Sequence, residues 1–80
     1  MSDTKFDPGA LVRFTEGKHF PVVLRDGPGY TFDRVGSANP SEVFFVMETK
    51  LGHGMSNWVL LRASTTGLVG WIPENAVMIA

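Results

Sequence analysis

The chain has 80 residues, of which 44% are hydrophobic, and it contains no cysteine. This length indicates a single domain that holds itself together without disulfide bonds or thiolate-metal clusters. The seven Lys and Arg residues are scattered singly against eight Asp and Glu residues, which argues against nucleic acid as a partner because phosphate backbones attract clustered cations.

The chain begins with a polar tail, residues 1–8, ahead of a domain predicted over residues 9–80. The tail lacks the apolar segment of a signal peptide, and no apolar run in the chain approaches the roughly 20 residues of a membrane span. We therefore expect a cytoplasmic protein with no membrane partner, while secretion or incorporation into a virion stays open.

Short apolar runs separated by turn residues follow one another through the domain. They predict strands over residues 10–15, 20–25, 43–48, 57–62 and 68–72, with the apolar end at 77–80 pairing as a last strand. Residues 30–36 fit either a short strand or a structured loop. Asp26-Gly27-Pro28-Gly29 is a turn, and no helix follows it that would make it a phosphate-binding loop. Both alternating sets of residues 43–48 are apolar, so the pattern leaves open which set faces the core.

Five or six short strands at this spacing predict a small all-β barrel or sandwich. Gly or Pro interrupts every stretch that could form a long helix, whereas a one-turn elbow is predicted at Pro73-Glu74-Asn75. Side chains fill the interior of a barrel this small, so a ligand would have to bind on its outer surface.

Several motifs resemble, in the right order, those of bacterial SH3 domains. Residues 24–30 are similar to the "L-x-V-R-S-G-P-S" opening of that family, and Val35-Gly36 to the apolar residue and Gly that follow it. The "V-x-V-L-E" segment of that family is similar to residues 43–48, and its "G-W-x-x-V" segment to residues 58–60. Its "G-x-x-G-W-V" segment is similar to residues 67–72. The resemblance covers about residues 22–79. It implies an SH3-like barrel of five or six strands with one 3-10 turn near the C-terminus, and a non-catalytic binding module.

The C-terminal segment also resembles the end of eukaryotic SH3 domains, "W-W-x-A…T-G-x-x-G-Y-I-P-x-N-Y-V". The residues that fall on groove-lining positions of that family are Trp58, Trp71, Pro73 and Asn75. Ala76 replaces a groove Tyr, Val12 replaces the first Tyr of "A-L-Y-D-Y", and no acidic loop cluster is present. These departures argue against recognition of proline-rich peptides.

The predicted binding surface is aromatic. We expect Trp58 and Trp71 to lie side by side on one outer face near Pro73, with Tyr30 or Phe32 completing a shallow shelf. Asn75 belongs to the same surface through the resemblance. The alternative interpretation is that both tryptophans are buried and help to close the barrel.

No motif predicts catalysis, a cofactor or a metal site. His19 and His53 lie far apart, and neither has a second ligand at metal-binding spacing. The carboxylates are scattered, and a solid barrel offers no cleft to hold a glycosidase pair. Ser64-Thr65-Thr66 has no nearby His to act as a base.

The leading functional prediction is therefore recognition of a protein or peptide partner through the surface around Trp58 and Trp71. Two alternatives stay open. One is targeting to cell-wall peptidoglycan, which the bacterial resemblance implies. The other is a structural role as a subunit of a larger assembly, such as a phage particle or an enzyme complex.

Overall fold

The computed structural model describes residues 6–15, 22–38, 42–52 and 57–80. Within these ranges the chain forms seven strands and one 3-10 turn, Glu74–Ala76. The strands are β1 Leu11–Phe14, β2 Val22–Arg25, β3 Arg34–Ala38, β4 Val43–Leu51, β5 Asn57–Ala63, β6 Val69–Pro73 and β7 Val77–Ile79. The all-β class and the 3-10 turn are confirmed. The described residues hold seven strands rather than five or six, because the ambiguous segment supplies β3 and the apolar C-terminus supplies β7.

All seven described strands belong to one antiparallel sheet, in the order β3-β2-β6-β5-β4-β1-β7. Strand β1 pairs with both β4 and β7, which brings the C-terminal strand beside the N-terminal one. A single residue pair, Arg25 with Trp71, joins β2 to β6. No ladder between described residues connects the edge strands β3 and β7, so the described sheet is open rather than closed into a barrel. The part of the chain that the structure describes contains no helix long and apolar enough to cross a membrane.

The ladder between β4 and β5 determines which set of β4 side chains faces the core. Phe44 lies opposite Ala63 and Val46 opposite Leu61, and all four are buried. The alternate residues Phe45 and Met47 are exposed. One contiguous core results, formed by Phe6, Val12, Phe14, Leu24, Phe44, Val46, Val59, Leu61, Ala63, Ile72 and Val77. Phe6, inside the predicted polar tail, is part of it.

Trp58 and Leu60 of β5 lie on the opposite face of the sheet from this core. Strand β5 alternates, so Trp58 and Leu60 point away from the side on which Val59 and Leu61 are buried. A β-bulge in β4 places Met47 between two successive residue pairs of the ladder, and beyond it Lys50 lies opposite Trp58. Trp58 is nonetheless buried, which means that another segment covers this outer face.

Candidate binding site

The hairpin of β5 and β6 brings the two tryptophans to one face of the sheet. Trp58 lies opposite Pro73 and Leu60 opposite Trp71, and directly opposed residues of an antiparallel pair share a face. Trp58 is only 1% exposed, however, and Trp71 only 8%. The prediction of a shelf made of exposed tryptophan rings is therefore wrong, although their placement on one outer face is observed.

The turn between β2 and β3 covers Trp58. The ring of Tyr30 packs edge-on against the indole, with the ring centroids 4.9 Å apart and the planes at 74°. Gly52 lies on another side of the indole, where a Cβ atom would overlap both the Trp58 ring and the Pro28 carbonyl oxygen. The indole Nε1 is buried and has no hydrogen-bond partner among the described residues. Burial of Trp58 is thus a long-range effect that its own strand does not reveal.

Arg25 holds this turn in place. Its Nη1 donates hydrogen bonds to the carbonyl oxygens of Tyr30 and Phe32, at 3.1 and 3.0 Å. The guanidinium carbon also lies 5.6 Å from the centroid of the Tyr30 ring, within the range of a cation–π contact. The backbone N–H of Asp26 donates to the Asp33 carbonyl oxygen at 2.8 Å and closes the base of the turn. Tyr30 is therefore presented by a fixed loop.

A cavity of about 250 Å³ opens beside Trp58. Its lining residues are Tyr30, Asn57, Trp58, Pro73, Glu74 and Asn75. Four of these are predicted site residues, and the structure brings them together from three separate segments. The other two predicted residues do not line the cavity: Trp71 is buried next to Leu60 and Arg25 in the ladders, and the Phe32 ring lies against Gly27.

Two lining residues, Asn57 and Glu74, were missed by the sequence reasoning. Each is the immediate neighbour of a predicted residue: Asn57 precedes Trp58, and Glu74 lies between Pro73 and Asn75. The one signal in the sequence that could have indicated them is this adjacency, because a polar residue next to a groove-lining residue can line the same pocket. Glu74 is largely buried, which is rare for a carboxylate on a small domain.

The 3-10 turn presents Glu74 and Asn75 at one end of the cavity. Pro73, with φ −59° and ψ 140°, ends β6 and precedes the turn. The backbone N–H of Thr15 donates to the Ala76 carbonyl oxygen at 3.0 Å, and its hydroxyl donates to the Asn75 carbonyl oxygen at 3.4 Å. These bonds attach the turn to the end of β1, so this wall of the cavity is also fixed.

The lining combines apolar walls with groups that hydrogen-bond in both directions. Tyr30, Trp58 and Pro73 supply rings. The side-chain amides of Asn57 and Asn75 each donate and accept, and the Glu74 carboxylate accepts. Among the described lining residues, Glu74 is acidic and none is basic. Such a set can bind a segment that offers both backbone amide groups and an apolar side chain.

Within the described ranges, no group of three or more His, Cys, Asp or Glu side chains is placed to hold a metal ion. The two histidines considered for such a site, His19 and His53, lie outside the described residues. The expectation that the protein is not an enzyme stays a prediction.

No protein-family model, curated protein or solved structure matches this chain. The cavity beside Trp58 and the residues that line it are therefore the features that bear on function.

Proposed function

We propose that the protein is a non-catalytic binding module that recognises a segment of a protein or peptide at the cavity beside Trp58. One observation carries this proposal: Tyr30, Trp58, Pro73 and Asn75, which are distant in the sequence, meet in a single cavity with fixed walls. Preorganised walls favour binding because little conformational freedom is lost when a ligand arrives.

The proposed fold is an SH3-like barrel. It is supported by the run of short antiparallel strands and by the 3-10 turn Glu74–Ala76, which follows Pro73 close to where the resemblance to SH3 domains implies such a turn. The turn between β2 and β3 packs over Trp58 at the start of β5, so the outer surface near this tryptophan is shaped into a pocket.

The size of the cavity favours a side chain of a larger ligand over a free small molecule. Pockets that enclose drug-sized molecules usually measure about 300–1,000 Å³, and this one measures about 250 Å³. We expect one apolar side chain of the ligand to lie between Tyr30 and Pro73. Neighbouring backbone amides of the ligand would then hydrogen-bond to Asn57 and Asn75.

The test is selection of peptides from a displayed random library on the immobilised full chain, followed by NMR titration of the selected peptides. We expect Tyr30→Ala and Asn75→Ala each to weaken binding by about 5- to 30-fold, which corresponds to about 1–2 kcal/mol at a central contact. Both positions are exposed, so the fold should tolerate these substitutions. Ile79→Ala, at an exposed apolar position that does not line the cavity, is the matched control and should bind like the wild type.

Two results would overturn the proposal. One is a set of selected peptides whose affinity is unchanged by Tyr30→Ala. The other is chemical-shift changes that leave out Asn57, Glu74 and Asn75. The same variants also separate peptide recognition from wall targeting, because Tyr30-dependent pelleting with purified peptidoglycan, with no peptide bound, would identify a wall ligand instead.

A further inference from the structure

A second exposed surface lies near the other end of the β5–β6 hairpin, away from the cavity. Leu11 lies opposite Phe45, Phe45 opposite Arg62, and Arg62 opposite Val69, so these residues form a row across β1, β4, β5 and β6. With strands about 4.8 Å apart, the row spans roughly 14 Å. We call it, together with Met47, the apolar row; its four apolar members are each between 42% and 47% exposed.

This surface has a concave centre beside the β-bulge in β4. Phe45, Met47 and Arg62 border a cavity of about 400 Å³, together with Val46 and the preceding segment Pro8-Gly9. That segment is fixed to β4, because the Gly9 N–H donates to the Val46 carbonyl oxygen at 2.7 Å and the Val46 N–H donates to the Ala10 carbonyl oxygen at 2.9 Å. The depression is therefore a built part of the sheet.

The charged side chains within the apolar row and the row beside it are of one sign, whereas the carboxylates of Asp7, Glu42 and Glu48 lie outside these two rows. Arg62 lies within it, and the adjacent row runs Met78–Arg13–Val43 across β7, β1 and β4. Neither row contains a carboxylate. The nearby carboxylate of Glu42 accepts hydrogen bonds from the backbone N–H and the hydroxyl of Thr65. The carboxylate of Glu48 lies beyond the bulge, opposite Leu60.

We propose that the apolar row is a second docking surface, for a partner segment that presents apolar side chains flanked by carboxylates, as an acidic amphipathic helix does. Apolar contact with Phe45 and Met47 would supply the buried area, and Arg62 and Arg13 would pair with the carboxylates. A second copy of this chain fits less well, because a twofold interface would bring the same arginines against this face from both sides. This proposal does not depend on the function of the cavity beside Trp58.

The test uses two synthetic amphipathic helices of about 18 residues, or five turns, with leucines on one face. In one peptide the flanking residues are Glu, and in the other they are Lys. Titrated into the isotope-labelled full chain, the Glu peptide should shift the amide signals of Leu11, Phe45 and Val69. It should bind at least about tenfold more tightly than the Lys peptide, because charge complementarity across an interface discriminates between partners.

Substitutions in the apolar row test whether the Glu peptide binds at this surface. Arg62→Glu should reverse the preference between the two peptides, and Phe45→Ala should weaken the Glu peptide about tenfold. Val69→Ser serves as a second surface variant if Phe45→Ala proves poorly folded. Arg34→Glu, an exposed charge reversal on β3, and Tyr30→Ala, in the cavity beside Trp58, should both leave binding unchanged.

Three results would overturn this proposal. The first is that the Glu peptide does not bind at about millimolar concentration, at which even weak complexes form. The second is that the two peptides bind equally well. The third is that Arg62→Glu leaves the preference between the two peptides unchanged. A dimer in sedimentation that Phe45→Ala dissociates would identify a second copy as the occupant instead.

Discussion

Gly52 shows how much one atom matters beside the cavity at Trp58. A Cβ at this position would come closer to Trp58 Cδ1 and to the Pro28 carbonyl oxygen than real atoms approach, and would lie 2.8 Å from the indole Nε1. The indole N–H is buried and has no hydrogen-bond partner among the described residues. The edge-on contact with Tyr30 stabilises the ring in this position, since aromatic pairs contribute about 0.5–1.5 kcal/mol.

Gly52→Ala should therefore displace either the indole or the turn that covers it. We expect a loss of about 1–3 kcal/mol in the free energy of unfolding, as for other overpacked sites. We also expect a red shift of the tryptophan fluorescence, which in the wild type should be blue-shifted because Trp58 and Trp71 are both buried. Urea unfolding followed by fluorescence measures both effects.

Gly36→Ala is the matched control. There the added Cβ would meet only the side chain of Leu68, at 3.0 Å from its Cδ2, and that flexible group can shift. The cost should be below about 1 kcal/mol, as at tolerant sites. Equal costs for the two variants, or an unchanged emission spectrum in Gly52→Ala, would contradict the tight packing described around Trp58.

At the scale of elements, the turn between β5 and β6 aligns the two strands that carry the cavity. Gly67 has φ +77°, and its N–H donates to the Ala63 carbonyl oxygen at 3.0 Å. The Ala63 N–H in turn donates to the Leu68 carbonyl oxygen at 2.8 Å. Because this turn sets the register that pairs Trp58 with Pro73, a change in its geometry affects the cavity at the far end of the hairpin.

Gly67→Ala should destabilise the protein by about 1–2 kcal/mol, because an L-residue is strained at positive φ. No heavy atom lies within 4 Å of the position its Cβ would take, so backbone strain is the only cost expected. An 80-residue chain is within reach of chemical synthesis, which allows D-alanine at position 67 as the control. The D-residue favours positive φ, so thermal unfolding should show no loss and even a small gain. Equal destabilisation by the two isomers would show that the turn does not require this backbone conformation.

At the scale of the whole molecule, the sequence predicted the turns, whereas it did not predict which side chains are buried by contacts with distant segments. The turn at Gly67 and the elbow after Pro73 were predicted because each depends on the conformational limits of one residue. The inward face of β4 was left open, since Phe44 and Phe45 belong to equally apolar alternating sets and only pairing with β5 separates them. The burial of Trp58 was only the alternative interpretation, because the segment that covers it lies elsewhere in the chain.

The single core makes the two neighbouring phenylalanines of β4 a sharp test of the whole fold. Phe44 is fully buried and packs on Phe14 with the ring centroids 4.9 Å apart, whereas Phe45 lies on the outer face and is exposed. Phe44→Ala should cost about 3–5 kcal/mol. Stabilities of about 0.05–0.15 kcal/mol per residue are usual for globular domains, so this loss would remove a large share of the roughly 4–12 kcal/mol expected for 80 residues.

Phe45→Ala removes the same atoms one residue further along the strand and should change the free energy of unfolding by no more than about 0.5 kcal/mol. Circular dichroism and tryptophan fluorescence, recorded through one urea titration, should give coincident transitions for the wild type and for Phe45→Ala, because strands from both ends of the chain share one core. A larger loss from Phe45→Ala than from Phe44→Ala would mean that the register of β4 against β5 is shifted by one residue. Both the core and the apolar row would then have to be reassigned.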